Sequence, residues 1–455
     1  RALDEYWKYL ADEAAEGGDD GALWTPPDIT PDPARAITWS PDLNPTQQKI
    51  FDDMSMTILA YGEKGCLPPD AQIYTETGLT RLSGLRPDNC KKGEFNPIHQ
   101  PVSSFANGER VSSLATQYWD EPTTQAIKAT LSHGGELTGS PIHPVWVCWE
   151  APDGRSGFGY KKLWEIREIR KFGTKVWTPI VGHQNWTATE YVKVAVMARP
   201  EACKVCGKKA DQRGLCRNHY AMLFKYYGEK HDLREPIRLT ITENLGYAIG
   251  ALVGDGSLNA ANDYRSLGFT NQDKECLSRV EIGLKEIGSR LTAQAKNKFG
   301  FTVRDGHIRK LISALDLMHL SYFKRIPDEI IRSPKSVVAA FLRGLFDTDG
   351  TADKAGNVFF CTVSEKLGLD VQNLLAAFGI LCVRRPRKSA SGRPTWTLGM
   401  MGLNACKFGK EIGFEIQRKQ DRIAKPKPTF RNPHGFNQNR YAFPDPIRSA
   451  LKNIA

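Results

Sequence analysis

Two stretches decide how this chain is read. Residues 248–256 run Ala-Ile-Gly-Ala-Leu-Val-Gly-Asp-Gly, and residues 342–350 run Leu-Arg-Gly-Leu-Phe-Asp-Thr-Asp-Gly. Each is an apolar helix end running into Asp-Gly, and Asp349 lies 94 residues after Asp255. The same succession follows each copy. A strand at 267–271 matches one at 358–363, and a helix at 273–287 matches one at 364–378. A strand near 301–304 then matches 395–399, and a last helix at 307–317 matches 403–412. Two copies of one α/β unit predict an internal pseudo-twofold. The small residues Gly250, Ala251 and Gly344 let the two motif helices pack closely, which brings Asp255 and Asp349 together. Juxtaposed carboxylates repel unless a divalent cation sits between them. A pair that holds Mg²⁺ can polarise a phosphodiester and activate water. The plainer alternative is an Asp-Gly helix end, used twice through duplication.

Charge points the same way. The chain has 455 residues and a net charge of +11, unevenly spread. Residues 1–65 hold 5 basic and 13 acidic groups, which leaves 57 basic against 38 acidic over residues 66–455. A basic body behind an acidic leader suits a polyanion such as nucleic acid. Hydrophobic residues at 40% and charged residues at 25% exclude a disordered or fibrous chain. No apolar run is long enough for a membrane helix, and none reads as a secretory leader. Ten cysteines over this length do not make a disulfide scaffold, so the expected compartment is a reducing cytoplasm.

The repeat resembles the LAGLIDADG homing endonucleases over residues 241–425. The resemblance implies a monomeric endonuclease of two pseudo-symmetric αββαββα-like lobes, 236–330 and 331–425, cutting a long double-stranded DNA site with Mg²⁺ on Asp255 and Asp349. Val253 stands at the sixth motif position, where many members have Asp. The resemblance also implies a basic residue near the cleaved phosphates. Lys324 in Lys-Arg-Ile-Pro fits, 69 residues after Asp255, and Lys419, 70 residues after Asp349, is its symmetry candidate. An exposed helix-end lysine is the alternative reading of Lys419.

Residues 66–185 are β-rich, with short alternating runs such as 71–75 and 126–131 broken by Gly, Pro and Asn. The run from Cys66 to Tyr74 and the run from Gly135 to Val145 resemble the first block and the histidine block of Hint-type intein splicing domains. The resemblance implies that the Cys66 thiol attacks the Gly65 carbonyl and converts the amide to a thioester. His143 would protonate the leaving amide, with Ser140 where the family usually has Thr. The fold class expected is therefore multidomain: an incomplete all-β Hint domain, the α+β endonuclease and a small zinc knuckle.

The knuckle is Cys203-x2-Cys206, nine residues, then Cys216-x2-His219, the spacing of a structural Zn²⁺ site, within a module at 186–235. Lys204, Lys208, Lys209, Arg213 and Arg217 surround it, and Tyr220, Phe224, Tyr226 and Tyr227 follow, a mixture that suits DNA contact. Upstream, Pro45-Thr46-Gln47-Gln48, a strand at 56–61 and Gly62-Glu63-Lys64-Gly65 read as the start of a phosphate loop cut off at Cys66. This segment, 1–65, resembles the ATPase of a phage terminase large subunit. ATP is then a ligand of the spliced host protein alone, in a phage-infected bacterial host. Another P-loop host stays open. No His-Asn dipeptide occurs, so 426–455 is expected to lead back toward a missing C-terminal splicing segment, supplied in cis or in trans. Two other readings remain: a DNA-binding protein with inert nuclease and splicing centres, and a Hint autoprocessing domain of the hedgehog type.

Overall fold

The computed structural model describes residues 59–61, 67–76, 78–106, 109–120, 125–178, 186–198, 202–210, 215–227, 235–258, 267–295, 297–304, 307–389 and 392–423. The expected leader helix and glutamine motif, Gly62, Gly65, Cys66 and the segment 426–455 lie outside them. Among the described residues, no helix is long and apolar enough to cross a membrane.

The N-terminal part is a set of small sheets. Strand β1 (Leu59–Tyr61) pairs parallel to β5 (Glu109–Asp120), which pairs antiparallel with β4 (Phe95–Ala106). Two hairpins form separate pairs: β2 (Gln72–Tyr74) with β3 (Leu79–Arg81), and β6 (Ile127–Thr130) with β7 (Glu136–Gly139). Strand β8 (Pro144–Glu150) pairs with β9 (Ser156–Lys162) on one side and β10 (Lys175–Trp177) on the other. The helix α1 (Leu163–Lys171) corrects the expectation of an all-β domain here. Leu163, Ile166 and Ile169 recur at a helical period, and α1 packs Leu163 on Val145 and Val147. The ribbon of β11 (Lys193–Ala198) and β12 (Glu235–Thr240) brackets the Cys/His cluster, with Ala198 opposite Glu235. Helix α2 (Arg217–Tyr227) lies within that bracket.

The α/β body repeats one unit. The first copy is α3 (Glu243–Asp255), β13 (Gly256–Ser257), β14 (Leu267–Thr270), α4 (Lys274–Lys285), β15 (Arg290–Gln294), β16 (Asn297–Arg304) and α5 (Ile308–Ala314). After the short α6 (Asp328–Ile331), the second is α7 (Lys335–Asp349), β17 (Gly350–Ala352), β18 (Val358–Thr362), α8 (Glu365–Ala377), β19 (Val383–Lys388), β20 (Pro394–Met400) and α9 (Leu403–Glu411), followed by α10 (Gln417–Ile423). The sheet orders match, β13-β14-β16-β15 and β17-β18-β20-β19. The strands β13, β15, β17 and β19 complete the αββαββα order that the resemblance implies, but the residue pattern did not place them: two to six residues long and partly basic, they carry little apolar alternation.

Helix α3 is buried without a break from Leu245 to Val253, as expected of a helix apolar on all sides. Thr242 caps it by accepting from the Leu245 N–H at 3.2 Å, and Ser364 caps α8 in the same way from Leu367. One apolar core runs through both copies and takes in Leu79 of β3 and Val194 and Val196 of β11.

Candidate active site and metal centre

The two motif helices cross on their glycines. A Cβ on Gly250 would lie 2.0 Å from the Phe341 carbonyl oxygen, and one on Gly344 would lie 2.2 Å from that of Tyr247. Backbone therefore touches backbone, and α3 and α7 end side by side. Asp255 and Asp349 come together at these ends, half-buried. The Asn271 amide donates to Asp255 Oδ2 at 2.8 Å and fixes that carboxylate. Burial raises the Asp255 pKa, against the pull of Asn271, Lys419 and Lys324. Asp349 is pushed up to about 6, by burial first and by the Asp255 charge second. Two hard oxygen donors that disfavour each other's charge in a partly dry seam suit a divalent cation.

Lys324 and Lys419 take matching places. Lys324 Nζ donates to the Val253 carbonyl, the sixth position of the first motif. Lys419 Nζ donates to the Asp347 carbonyl at 2.6 Å, the sixth position of the second, and also to Phe346 at 3.2 Å and Gly350 at 2.7 Å. Both are buried, at 6% exposure, so the reading of Lys419 as an exposed helix-end lysine is corrected. Burial lowers both pKa values. The Asp349 and Asp255 charges oppose this at Lys324, and chiefly Asp347 does so at Lys419. Capping the helix ends thus brings two ammonium groups beside the two acids.

Sequence reasoning missed several polar groups around this seam. Asp347 is buried, and accepts from Tyr247 Oη of α3 at 2.7 Å, Glu415 N at 3.0 Å and Ile416 N at 3.3 Å. Arg418 pairs with Asp273 at 2.8 Å. Arg81 of β3 donates to Asp370 Oδ2 at 2.8 Å and to the Ile326 carbonyl at 2.9 Å. Asp347 stood visible at the sixth motif position; Arg81 carries no sequence signal.

In the β region, Ser140 and His143 close the turn between β7 and β8: His143 N donates to the Ser140 carbonyl at 3.0 Å. Ser140 is buried and His143 half-buried, and Leu163 N, at the start of α1, donates to the His143 carbonyl at 3.0 Å. Their expected partner Cys66, like Gly62 and Gly65, lies outside the described residues.

Cys203, Cys206, Cys216 and His219 offer ligand atoms that all lie within 4.8 Å of one another. His219 Nδ1 is 3.4 Å from Cys203 Sγ and 3.4 Å from Cys216 Sγ, and Cys206 Sγ is 3.8 Å from Cys216 Sγ. A tetrahedron with Zn–S of about 2.3 Å and Zn–N of about 2.05 Å has edges of about 3.8 and 3.5 Å. The donor set fits that ion. Burial opposes the Cys203 thiolate, but backbone hydrogen bonds from Cys216, Val205 and Cys206 and the His219 ring bring its pKa down to about 5. Gly207, at φ +69°, donates to the Cys203 carbonyl at 2.9 Å and turns the first knuckle. Lys204 pairs with Glu235 and so ties the knuckle to β12.

The LAGLIDADG-like domain family matches residues 336–413, from the second motif helix through α9. The chain therefore carries a LAGLIDADG-like domain. It is 31% identical over 233 residues to the replicative DNA helicase DnaB of Synechocystis sp., covering 46% of this chain and 26% of the helicase. It is 26% identical over 198 residues to elongation factor 2 of Methanopyrus kandleri, covering 42% of this chain and 14% of the factor. The chain thus spans about a quarter or less of the length of these relatives. Among solved structures, it is similar to the homing endonuclease I-DmoI in complex with DNA and Mn, at a TM-score of 0.29 and 15% identity, covering 38% of this chain and 97% of that one.

Proposed function

We propose that the chain is an intein whose splicing domain is interrupted by a metal-dependent, site-specific double-strand DNA endonuclease. The observation that carries the nuclease is the seam: two crossed motif helices, Asp255 and Asp349 at their ends, and a buried lysine capping each. Asp255 and Asp349 would hold Mg²⁺, which when bound polarises a phosphodiester and lowers the pKa of water. Asn271 orients one carboxylate. Lys324 and Lys419 keep positive charge in a partly dry seam, where it attracts phosphate more strongly than it would in water. The basic body supplies attraction to duplex DNA along a long site.

The intein reading is supported by the company the chain keeps. A replicative helicase and an elongation factor perform unrelated tasks, yet each shares with this chain a segment that is a minor part of its own length. A segment inserted into unrelated hosts accounts for that pattern. In this reading Cys66 attacks Gly65, His143 protonates the leaving amide and the Ser140 hydroxyl assists. A C-terminal splicing segment, in cis or in trans, completes the reaction. Zn²⁺ on Cys203, Cys206, Cys216 and His219 holds a DNA-contacting knuckle. The host resembles a phage terminase ATPase, which binds ATP once splicing restores its loop.

The test is cleavage of DNA carrying the uninterrupted host gene. The parent chain with Mg²⁺ is expected to linearise it. Asp255→Asn or Asp349→Asn is expected to abolish double-strand cutting while DNA binding persists. Double-strand cutting retained by both single variants overturns the assignment.

A further inference from the structure

The two lysine-bearing segments are anchored differently. In the second copy, the Asp347 carboxylate receives the Glu415 and Ile416 N–H groups at 3.0 and 3.3 Å. The segment leading to Lys419 therefore hangs from its own motif helix. In the first copy the matching residue is Val253, whose side chain offers no acceptor. The Lys324–Pro327 segment hangs instead from Asp370 of α8, whose Oδ2 accepts from Ile326 N at 3.1 Å. Ser364 Oγ donates to the Lys324 carbonyl at 2.6 Å. The remaining bonds come from the β2–β3 hairpin, some 245 residues earlier in the chain. Arg81 bridges the Ile326 carbonyl at 2.9 Å and Asp370 Oδ2 at 2.8 Å and also pairs with Asp328, and Gln72 Nε2 donates to Asp370 Oδ1 at 3.0 Å. Arg325 lies 3.5 Å from the same carboxylate.

We propose that Arg81 is a positioning residue of the endonuclease: the docked β2–β3 hairpin replaces the missing sixth-position acid of the first motif and holds Lys324 in register for one of the two DNA strands. This rests on the nuclease reading and deepens it. Arg81 is buried, and its planar fork spans three partners: one terminal nitrogen donates to the Ile326 carbonyl and to Asp370, while the other pairs with Asp328. Without it, the Ile326 carbonyl loses its donor and Asp370 loses its closest cation. The segment is then free to shift, and a displacement of about 1 Å at a reacting centre costs about a hundredfold in rate. Lys419 is anchored through Asp347 and shares no bond with Arg81. The two scissile phosphates of a duplex are related by a twofold, as the two lysines are, so each lysine serves one strand.

The experiment uses the full chain and a DNA site labelled separately on each strand, read in single turnover. Arg81→Ala is expected to slow one strand by about tenfold or more, with nicked product accumulating and DNA affinity within about twofold of the parent. Asp347→Asn is expected to slow the opposite strand. Arg81→Lys, which keeps the buried charge, should show the same strand bias at smaller amplitude, and it decides the matter if Arg81→Ala does not fold. Equal slowing of both strands, or none, in a folded variant overturns the proposal. A parent that leaves the DNA intact refutes the nuclease reading itself, an outcome separate from symmetrical loss in the variants alone.

Discussion

Gly250→Ala should open the seam, and its size follows from the backbone. The added methyl would stand 2.0 Å from the Phe341 carbonyl oxygen, 2.9 Å from its carbon and 3.1 Å from Leu345 N. Ordinary contact begins near 3.4 Å, so α3 and α7 must separate by about 1.4 Å at this point. The obstacle is main chain in the middle of a buried helix, so no rotamer relieves it. Overpacking of this kind costs about 3 kcal/mol, the top of the usual range. Alanine in a helix interior returns about 1 kcal/mol relative to glycine. The net loss is about 2 kcal/mol, a drop of about 4–8 °C in Tm for a domain of this size. Cleavage should fall further than stability, by about a hundredfold, because the separation is transmitted to Asp255 and Asp349 one turn away. Gly246→Ala is the internal control: its methyl would meet Val337 at 3.2 Å, so only a slight adjustment is needed and the helix gain offsets it. The assays are thermal unfolding and single-turnover DNA cleavage. Gly250→Ala with the parent's Tm and cleavage rate would refute the crossing as drawn.

Other outcomes follow from the same geometry. One tightly held Zn²⁺ per chain is expected by elemental analysis, lost in the Cys203→Ser, Cys206→Ser double variant together with part of the DNA affinity; metal-free protein purified without chelator contradicts the knuckle. Thiol treatment should release the leader slowly after Gly65, and Cys66→Ala should stop this; equal release from parent and variant, by mass spectrometry, removes Cys66 as the nucleophile. His133, on the β6–β7 turn, has its pKa lowered by burial and then by Arg384, so the unfolded chain binds more protons than the folded one as pH falls below about 6.5. Stability should therefore drop through that window and level off below the folded pKa, and His133→Asn should flatten this part of the urea midpoint profile.

The seam was legible because its requirements are local. Close helix crossing needs glycine or alanine at fixed steps, a helix end needs Asp-Gly, and duplication repeats both at one spacing, so Lys419 could be located from Lys324 by counting. The Cys/His cluster was legible for the same reason, since its four residues fall in two pairs, each within a short span of chain. What could not be read was how the lysine segments are held. Asp347 and Asp349 are two residues apart, about 200° around a helix, so the two acids point in different directions and meet different partners. The pattern shows two acids but not that one of them, Asp347, receives the backbone of residues 415 and 416. The sequence shows Val253 in place of that acid but not what makes up for it, because Arg81 comes from a three-residue strand in a different part of the chain. Arg384 behaves alike: it is buried and pairs with Glu136, while its backbone N–H and Nε donate to the carbonyls of His133 and Gly134, so the second hairpin is locked to the second lobe. Both hairpins dock through a buried arginine, and a buried arginine is costly unless it is paired. The β region and the second lobe are therefore coupled by groups whose cost is offset only when the two are together.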